Sequence, residues 1–570
     1  MTEPSGMTRF LSRLHKACRR TMNLFAVMGV AILALDPTLY GHPLYQGIQS
    51  LSIAPIYLLY ALYLGLGFAL SEGVFPFLVD SAIDLVFFAP MLFFTSGGVH
   101  PAHILCVRQF IHYFNRHLQS STLSNFAQSI SERPARLIAF SFAGIILIGA
   151  FLLVLPVSVA AGHQPSFLTA LFTSTSAVCV TGLIVVDTPT YFTLFGQLVI
   201  MGLIQVGGLG IMTLSAGAAF LIGKRLGMTE RAVLQNVLDA TDLNALRDTL
   251  RNILQWTLVI EATGALILAI RFWTVLDCPF FTALYFGVFH AVSAFCNAGF
   301  ALFTDSLMKF TGDPVVNLTI MGLVVTGGLG FSVLSAINGF LHGGKGFRHD
   351  VHSQMAITVT IVLIVGGTLM ILALELPGPA MKDLPWGERL LAAVFASVTA
   401  RTAGFNTIDY AVMTPGALFF TILLMFVGAS PGSTGGGIKT TTAGTMLLAL
   451  DAEMKGRSAV VVLERTIPPV IVLRAFLITA ISGALVAGCT FVLVVTDDFP
   501  LLNLLFEVVS AFATVGLSTG ITAALSSAGQ VVLIFLMFIG RIGPLTWALS
   551  IRSTPGAGHV RYPATRLMVG

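Results

Sequence analysis

"SAFCNAGFALFTD" (residues 293–305) carries a glycine, Gly299, followed at once by phenylalanine at the end of an apolar run. The arrangement recurs as "SAVCVTGLIVVD" (176–187), "VTARTAGFNTID" (398–409) and "SAFATVGLSTG" (510–520). Their glycines, Gly182, Gly404 and Gly516, also precede Leu or Phe, and the four lie 117, 105 and 112 residues apart. A second element follows each copy at a similar distance: "MGLIQVGGLG" from Met201, "MGLVVTGGLG" from Met321, "MFVGASPGSTGGG" from Met425 and "MFIGRIGPLT" from Met537. Two elements that recur together mark an internal repeat, so the chain is read as four copies of one unit.

The 570 residues are 56% hydrophobic and 10% charged, with long apolar runs such as 137–155 and 253–270 from end to end. About 20 helical residues at ~1.5 Å rise cross about 30 Å of hydrocarbon. The runs are continuous rather than alternating, which excludes a β-barrel. Each unit reads as a long apolar helix, a shorter apolar segment of about 12 to 15 residues ending in the glycine motif, and another long helix. So short a segment cannot span, and irregular backbone at that depth is tolerated only inside protein or along a water-filled cavity. The expected fold is an all-α polytopic membrane protein: four membrane-pore-membrane repeats around a pseudo-fourfold pore, preceded by an N-terminal bundle of about four helices. The expected boundaries are 1–130 for these accessory membrane helices, 131–225, 250–345, 352–455 and 464–552 for the repeats, and 553–570 for a short cytoplasmic tail.

Basic residues precede the first apolar run (Arg9, Arg13, Lys16, Arg19, Arg20) and cluster at 223–251, 345–348 and 455–465 and in the tail. By the positive-inside rule these segments, and both termini, are expected in the cytoplasm. The six cysteines are scattered without a CxxC pair, the twelve histidines form no HExxH set, and no P-loop occurs. No disulfide framework, metal cluster or enzymatic site is read. His290, in the second short segment, is read as a packed core residue. In the N-terminal extension Asp80 and Asp84 lie one turn apart in an apolar run, with Arg108 and Arg116 available as partners and His112 between those two. They point to an accessory bundle, structural or regulatory, with buried ion pairs.

Rings of backbone carbonyls from loops free of large side chains can replace the hydration shell of a potassium ion. Glycine permits the backbone angles that turn successive carbonyls toward an axis. The candidate lining is Val180, Thr181 and Gly182; Asn297, Ala298 and Gly299; Thr402, Ala403 and Gly404; and Thr514, Val515 and Gly516. For one motif alone a helix-packing glycine would serve as well; four in register favour the ring. Together these motifs resemble the superfamily of K+ transporters that contains TrkH, KtrB and the plant HKT proteins, over about residues 131–552. The ending "GRIGPLT" (540–546) is most similar to KtrB. The resemblance implies K+ uptake across the cytoplasmic (inner) membrane through a channel-like pore, one filter glycine from each unit, with K+ at the filter carbonyls as the only metal. It also implies a homodimer, cytosolic RCK-type nucleotide-binding regulatory subunits, and Na+ as an activator or companion. Family members that prefer Na+ tend to carry serine at the first filter glycine, here Gly182. The alternative is a cation-coupled symporter, K+ with Na+ or H+, working by alternating access, since helices broken at mid-membrane are its hallmark too.

"FVGASPGSTGGGIKTTT" (426–442) interrupts the second long helix of the third repeat, where repeats one and two have only "GGLG". The resemblance implies an intramembrane gate built from Gly428, Ser430, Pro431, Gly432, Ser433, Thr434, Gly435, Gly436 and Gly437, with Lys439 and Arg541 beside it; the alternative is a kink without a moving part. Each cation would cost roughly 2.5 to 3.5 kcal/mol at the centre of a lipid-facing helix, so both are expected to face the interior. Lys439 has the further option of snorkelling toward the cytoplasm. Asp187, Asp305 and Asp409, just past three of the glycines, either gather cations at the outer mouth or cap helices. Arg401 is expected to point away from the axis and to pair with an acid such as Glu507.

Overall fold

The computed structural model describes residues 11, 13–18, 20–22, 43–70, 134–210, 243–341 and 350–551. The chain divides into two compact units, one of Met1–Glu132 with short pieces near 155 and 222, the other holding the remainder. In the first, helix α1 (Pro43–Leu70) covers the expected apolar run at 53–70. Residues 13–18 and 20–22 are helical and pack on it: His15 stacks on Tyr63 at 4.4 Å, and Cys18 and Met22 join Ile56 and Tyr60 in a small core. Asp80, Asp84, Arg108, His112 and Arg116 lie outside the described residues, as do the remaining expected N-terminal crossings, the basic cluster at 345–348 and the tail.

Four stretches of the second unit share one element order. A first helix (α2, Pro134–Val154; α5, Leu243–Leu276; α9, Val351–Glu375; α13, Pro469–Thr496) leads to a short one (α3, Phe167–Val178; α6, Phe280–Phe295; α10, Trp386–Thr399; α14, Leu501–Ala513). After a glycine turn comes another helix: α4 (Leu194–Leu209), α7 (Pro314–Leu329), α11 (Pro415–Phe426) or α15 (Ser527–Ile542). The chain also forms α8 (Phe331–Leu341), α12 (Thr440–Met454), α16 (Pro544–Ile551) and a hairpin, β1 (Val460–Val462) with β2 (Arg465–Ile467). Among the described residues three helices are long and apolar enough to cross a membrane, within α5, α9 and α13. The short helices have 12 to 16 residues and cannot.

The second helices correct the sequence reading, which expected long, continuous ones with a break in the third repeat alone. All four are short. Gly210 (φ 77°), Gly330 (φ 91°) and Gly543 (φ 94°) follow α4, α7 and α15 in a left-handed backbone that no α-helix continues through. Across Gly330 the chain bends by 100° into α8. The glycine-rich "GGLG" and "GRIG" stretches carried this signal; without Cβ atoms those positions take the positive φ freely.

Each of these helices starts at a polar cap: Thr193, Asp313, Thr414 or Ser526. In three stretches the outgoing end of the first helix clamps that cap. Arg271 Nε donates to Asp313 Oδ2 at 2.7 Å. Glu375, fully buried, accepts from the Thr414 amide (2.6 Å) and hydroxyl (2.7 Å). Asp497 accepts from the Ser526 amide (2.6 Å) and hydroxyl (3.1 Å). Burial raises the Asp497 carboxyl, but hydrogen bonds from Thr496 and Ser526 outweigh it and leave the group below the usual carboxylate range. The clamps hold first and second helices at a set distance, with the short helix and its turn between them.

Glu375→Ala removes two charge-assisted bonds from the start of α11, and a loss of about 2–4 kcal/mol of stability is expected. It should read as a lower thermal midpoint of the purified protein in detergent, with Glu375→Gln intermediate. An unchanged midpoint for the alanine variant would remove the clamp from this account.

Candidate functional site

The short helices end in four turns of one geometry. The first turn residue takes a left-handed backbone although none is glycine: Val180 (φ 57°), Asn297 (φ 59°), Thr402 (φ 71°) and Thr514 (φ 53°). Two residues later comes a glycine with positive φ: Gly182 (91°), Gly299 (69°), Gly404 (80°) and Gly516 (94°). A left-handed non-glycine residue costs on the order of 1–3 kcal/mol and persists only where its surroundings impose it. Here a hydroxyl from the short helix does so. Ser176 Oγ accepts from the Gly182 amide (3.0 Å) and Ser510 Oγ from the Gly516 amide (3.1 Å). Ser293 Oγ donates to Phe300 O (2.8 Å) and Thr399 Oγ1 to Phe405 O (2.6 Å). Sequence reasoning assigned these hydroxyls no role, although a serine opens three of the four motifs.

The turns meet in chain order. A Cβ added to Gly182 would collide with the carbonyl of Ala298 and lie 3.1 Å from Gly299 Cα. One on Gly299 would lie 2.8 Å from Ala403 O and 2.9 Å from Gly404 Cα. One on Gly404 would meet Val515 O and lie 3.2 Å from Gly516 Cα, and one on Gly516 would meet Thr181 O and lie 3.0 Å from Gly182 Cα. The ring closes, and every neighbour is backbone, which cannot yield. It brings together all twelve residues singled out as lining, with Thr181, Ala298, Ala403 and Val515 contributing carbonyls to the crowding.

On one side the ring opens into a cavity of about 320 Å³ lined by the four glycines and by Asp187, Asp305 and Asp409. The acids also serve the loops. Asp187 accepts from Thr190 (2.7 Å) and Thr304 (3.0 Å), Asp409 from the Ala411 amide (2.9 Å), and Asp305 lies 3.7 Å from Lys309. On the fourth side stand Ser518 and Thr522, whose hydroxyls donate to the buried Glu507 at 2.7 Å, as does the Thr519 amide at 3.0 Å. Glu507 is thus occupied by its own turn and does not pair with Arg401, contrary to the sequence reading. His290 is buried as expected: Nε2 accepts from the Leu302 amide (3.3 Å), leaving Nδ1–H to donate to Phe286 O (2.7 Å), so the ring braces the chain beyond Gly299.

On the other side lies the glycine-rich loop between α11 and α12. Its neck is a bridge between Val427 and Ile438, with the Gly428 amide donating to Ile438 O at 2.9 Å. The amides of Ser430 and Thr434 donate to Gly328 O (3.0 Å) and Gly327 O (3.3 Å), and Gly432 O accepts from the Phe331 amide (3.2 Å). Ser433 Oγ donates to Ser430 O at 2.6 Å, and the carbonyl of Pro431 lies against Gly330. Gly435 and Gly436 come up directly under the turns: a Cβ on either would strike the hydroxyl of Thr402 or Thr514, and the Gly436 amide donates to Thr514 Oγ1 at 3.0 Å. Gly437 (φ 67°) passes beside Ala513 and returns the chain to the neck.

Three cations hold the loop by its carbonyls. Arg541, in the last turn of α15, donates to Thr434 O and to Gly207 O of the first stretch. Lys439 Nζ donates to Gly435 O at 2.7 Å, so its charge is spent on the loop rather than sent toward an interface. Arg401 donates to Gly428 O at 3.4 Å.

Known proteins resemble this chain in sequence and in fold. Residues 125–559 match the family model TrkH, described as a cation transport protein. The Ktr system potassium uptake protein B of Bacillus subtilis is 40% identical over 438 residues, which is 77% of this chain and 97% of that protein. The potassium/sodium uptake protein NtpJ of Enterococcus hirae is 37% identical over 443 residues, 77% of this chain and 97% of its own. The crystal structure of the potassium transporter TrkH from Vibrio parahaemolyticus superposes with a TM-score of 0.58 at 18% identity, covering 88% of this chain and 98% of that one, a likeness of fold. The chain, a multi-pass membrane protein, belongs to the TrkH family of cation transport proteins.

Proposed function

We propose that this protein carries K+ into the cell across the cytoplasmic membrane through a pore whose selective part is the ring of four glycine turns and whose gate is the loop 428–437. The observation that carries the reading is the closed ring itself: four turns of one backbone geometry, each glycine against the next turn's carbonyl. Carbonyl oxygens directed inward at such a constriction substitute for the waters of a dehydrated cation. The names of the relatives, potassium uptake proteins, support K+ as the ion, with Na+ as an activator or companion. The acids of the outer cavity raise the local cation concentration, within about 8 Å at physiological salt. An inward potential supplies about 2.3 kcal/mol per charge per 100 mV.

The loop lies directly beneath Thr402 and Thr514, where it obstructs the path, and Arg541 both holds it and repels cations by its charge. We assign both termini to the cytoplasm, and we take the working assembly to be a homodimer regulated by cytosolic RCK-type nucleotide-binding subunits, in keeping with the Ktr-system relatives. A cation-coupled symporter is favoured by one observation, the break in every second helix. Four turns closing one ring favour the pore.

K+ and Na+ flux into liposomes holding the purified protein tests both parts. Deleting residues 430–437, or replacing Arg541 by alanine, removes charge-assisted bonds worth roughly 1.5–3 kcal/mol each from the obstructed state, so K+ flux should rise about tenfold or more. Flux unchanged by the deletion would make the loop a kink, and flux that needs a second ion's gradient would establish the symporter. Gly182→Ser puts a Cβ against the Ala298 carbonyl at a left-handed position, and the K+ over Na+ preference should fall by about tenfold or more with the ring distorted. A serine variant with wild-type selectivity would remove Gly182 from the filter.

A further inference from the structure

Arg401 is 7% exposed, and among the described residues no carboxylate lies within ion-pair distance of it. It stands three residues before its turn glycine, one past the cap of α10, and is followed directly by Thr402. The equivalent positions in the other three stretches hold Cys179, Cys296 and Ala513, all uncharged and fully buried. The arginine therefore occurs in the one stretch that carries the loop. A buried cation without an acid is costly, and the partly negative C-terminal end of a helix offsets only part of that cost.

The contact it makes has no counterpart elsewhere in the ring. In the first, second and fourth stretches a glycine of the second helix is locked against the end of its own short helix. A Cβ on Gly207, Gly327 or Gly540 would collide with the carbonyl of Val178, Phe295 or Phe512, each four residues before the turn glycine. No glycine of the third stretch meets the carbonyl of Ala400 in this way. Gly428 instead packs against Gly436, within the loop's own neck. The link from neck to short helix is the Arg401 guanidinium, donating to Gly428 O. The Gly428 amide donates to Ile438 O, so one residue is held at both its N–H and its carbonyl. Beside it, Arg401 and Thr360 line a cavity of about 10 Å³, and Arg401 Nε and Thr360 Oγ1 have no protein partner. That volume and polarity suit a single bridging water.

We infer that Arg401 is a positioning residue that ties the neck of the loop, at Gly428, to the turn of the third stretch, so that loop and ring shift together. This rests on the proposed gate only for its effect on flux; the tie itself is a matter of contact. Where the other stretches join second helix to turn by rigid glycine packing, the third uses one long side chain, which can release the carbonyl and let the neck open. Arg541 holds the loop near its tip, and Arg401 holds it at the root.

The test uses Arg401→Met, which keeps the length of the stem and removes a buried charge that has no acid partner, so folding should survive. Hydrogen–deuterium exchange of the full-length protein in lipid nanodiscs reads the Gly428 amide, and liposome flux reads K+ and Na+. Exchange at Gly428 should quicken about tenfold while the other three turns keep their protection. K+ flux should rise in the intact protein, show no further rise on top of the 430–437 deletion, and keep its K+ over Na+ ratio. A thermal midpoint that falls with no local change at Gly428 would mean a merely structural role and overturn the inference. So would a selectivity change of equal size with and without the loop. Should the methionine variant not fold, Arg401→Lys, with a shorter reach than arginine, carries the same reading: exchange faster than wild type supports the tie, and exchange equal to wild type refutes it. If the deletion alone leaves flux unchanged, the gate reading falls, and exchange at Gly428 still decides the tie.

Discussion

Backbone against backbone at four glycines is the contact on which the rest of the second unit depends. Each added Cβ at Gly182, Gly299, Gly404 or Gly516 would strike main-chain atoms of the next turn. Main chain cannot be re-rotamered, so the turns have one arrangement or none. Reaching it requires a left-handed residue in every turn, a cost of order 1–3 kcal/mol each. The Ser and Thr hydroxyls of the short helices supply a hydrogen bond beside each strained residue. Strain concentrated in one ring and offset by its own scaffold is the pattern expected where backbone geometry serves a purpose.

The scaffold combines a continuous apolar core with fixed helix ends. A long first helix, a short helix that stops at the ring and a second helix meet through the clamps at Asp313, Thr414 and Ser526. On the opposite side the second helices end at Gly210, Gly330 and Gly543, each with positive φ, or give way to the loop. Breaking the helices there frees backbone carbonyls close to the ring. Arg541 uses two of them at once, Gly207 O in the first stretch and Thr434 O in the third, which ties distant parts of the chain to a single guanidinium.

The third stretch departs from the other three in several ways that belong together. It has a loop in place of a bend, arginine in place of cysteine or alanine before its turn, and no glycine locking its second helix to its short helix. Its turn also closes differently: the Ala403 amide bonds to Thr399 O, whereas Thr181, Ala298 and Val515 each reach back five residues. One stretch of four thus differs from the others at its turn, its loop and its helix packing together.

Much of this was legible in the chain because repetition exposes what a single motif conceals. Four glycines at near-even spacing, each at the end of a segment too short to span, indicated the units, the turns and the residues that would meet there. The interruption at 426–442 announced itself through proline, glycine and hydroxyls in an apolar context. What was not legible depended on contacts between separate stretches of the second unit. The positive φ at Gly210, Gly330 and Gly543 ends helices that the sequence alone reads as long and continuous. A carboxylate is the usual mate of an arginine, yet Glu507 is taken by Ser518, Thr519 and Thr522, and Arg401 donates to a carbonyl instead. By itself the sequence determined the periodic plan and the identity of the residues at the ring, since these follow from composition and spacing along the chain. Only the tertiary structure decided which carbonyl each cation holds and how the turns abut, because those choices depend on distances between segments more than 100 residues apart.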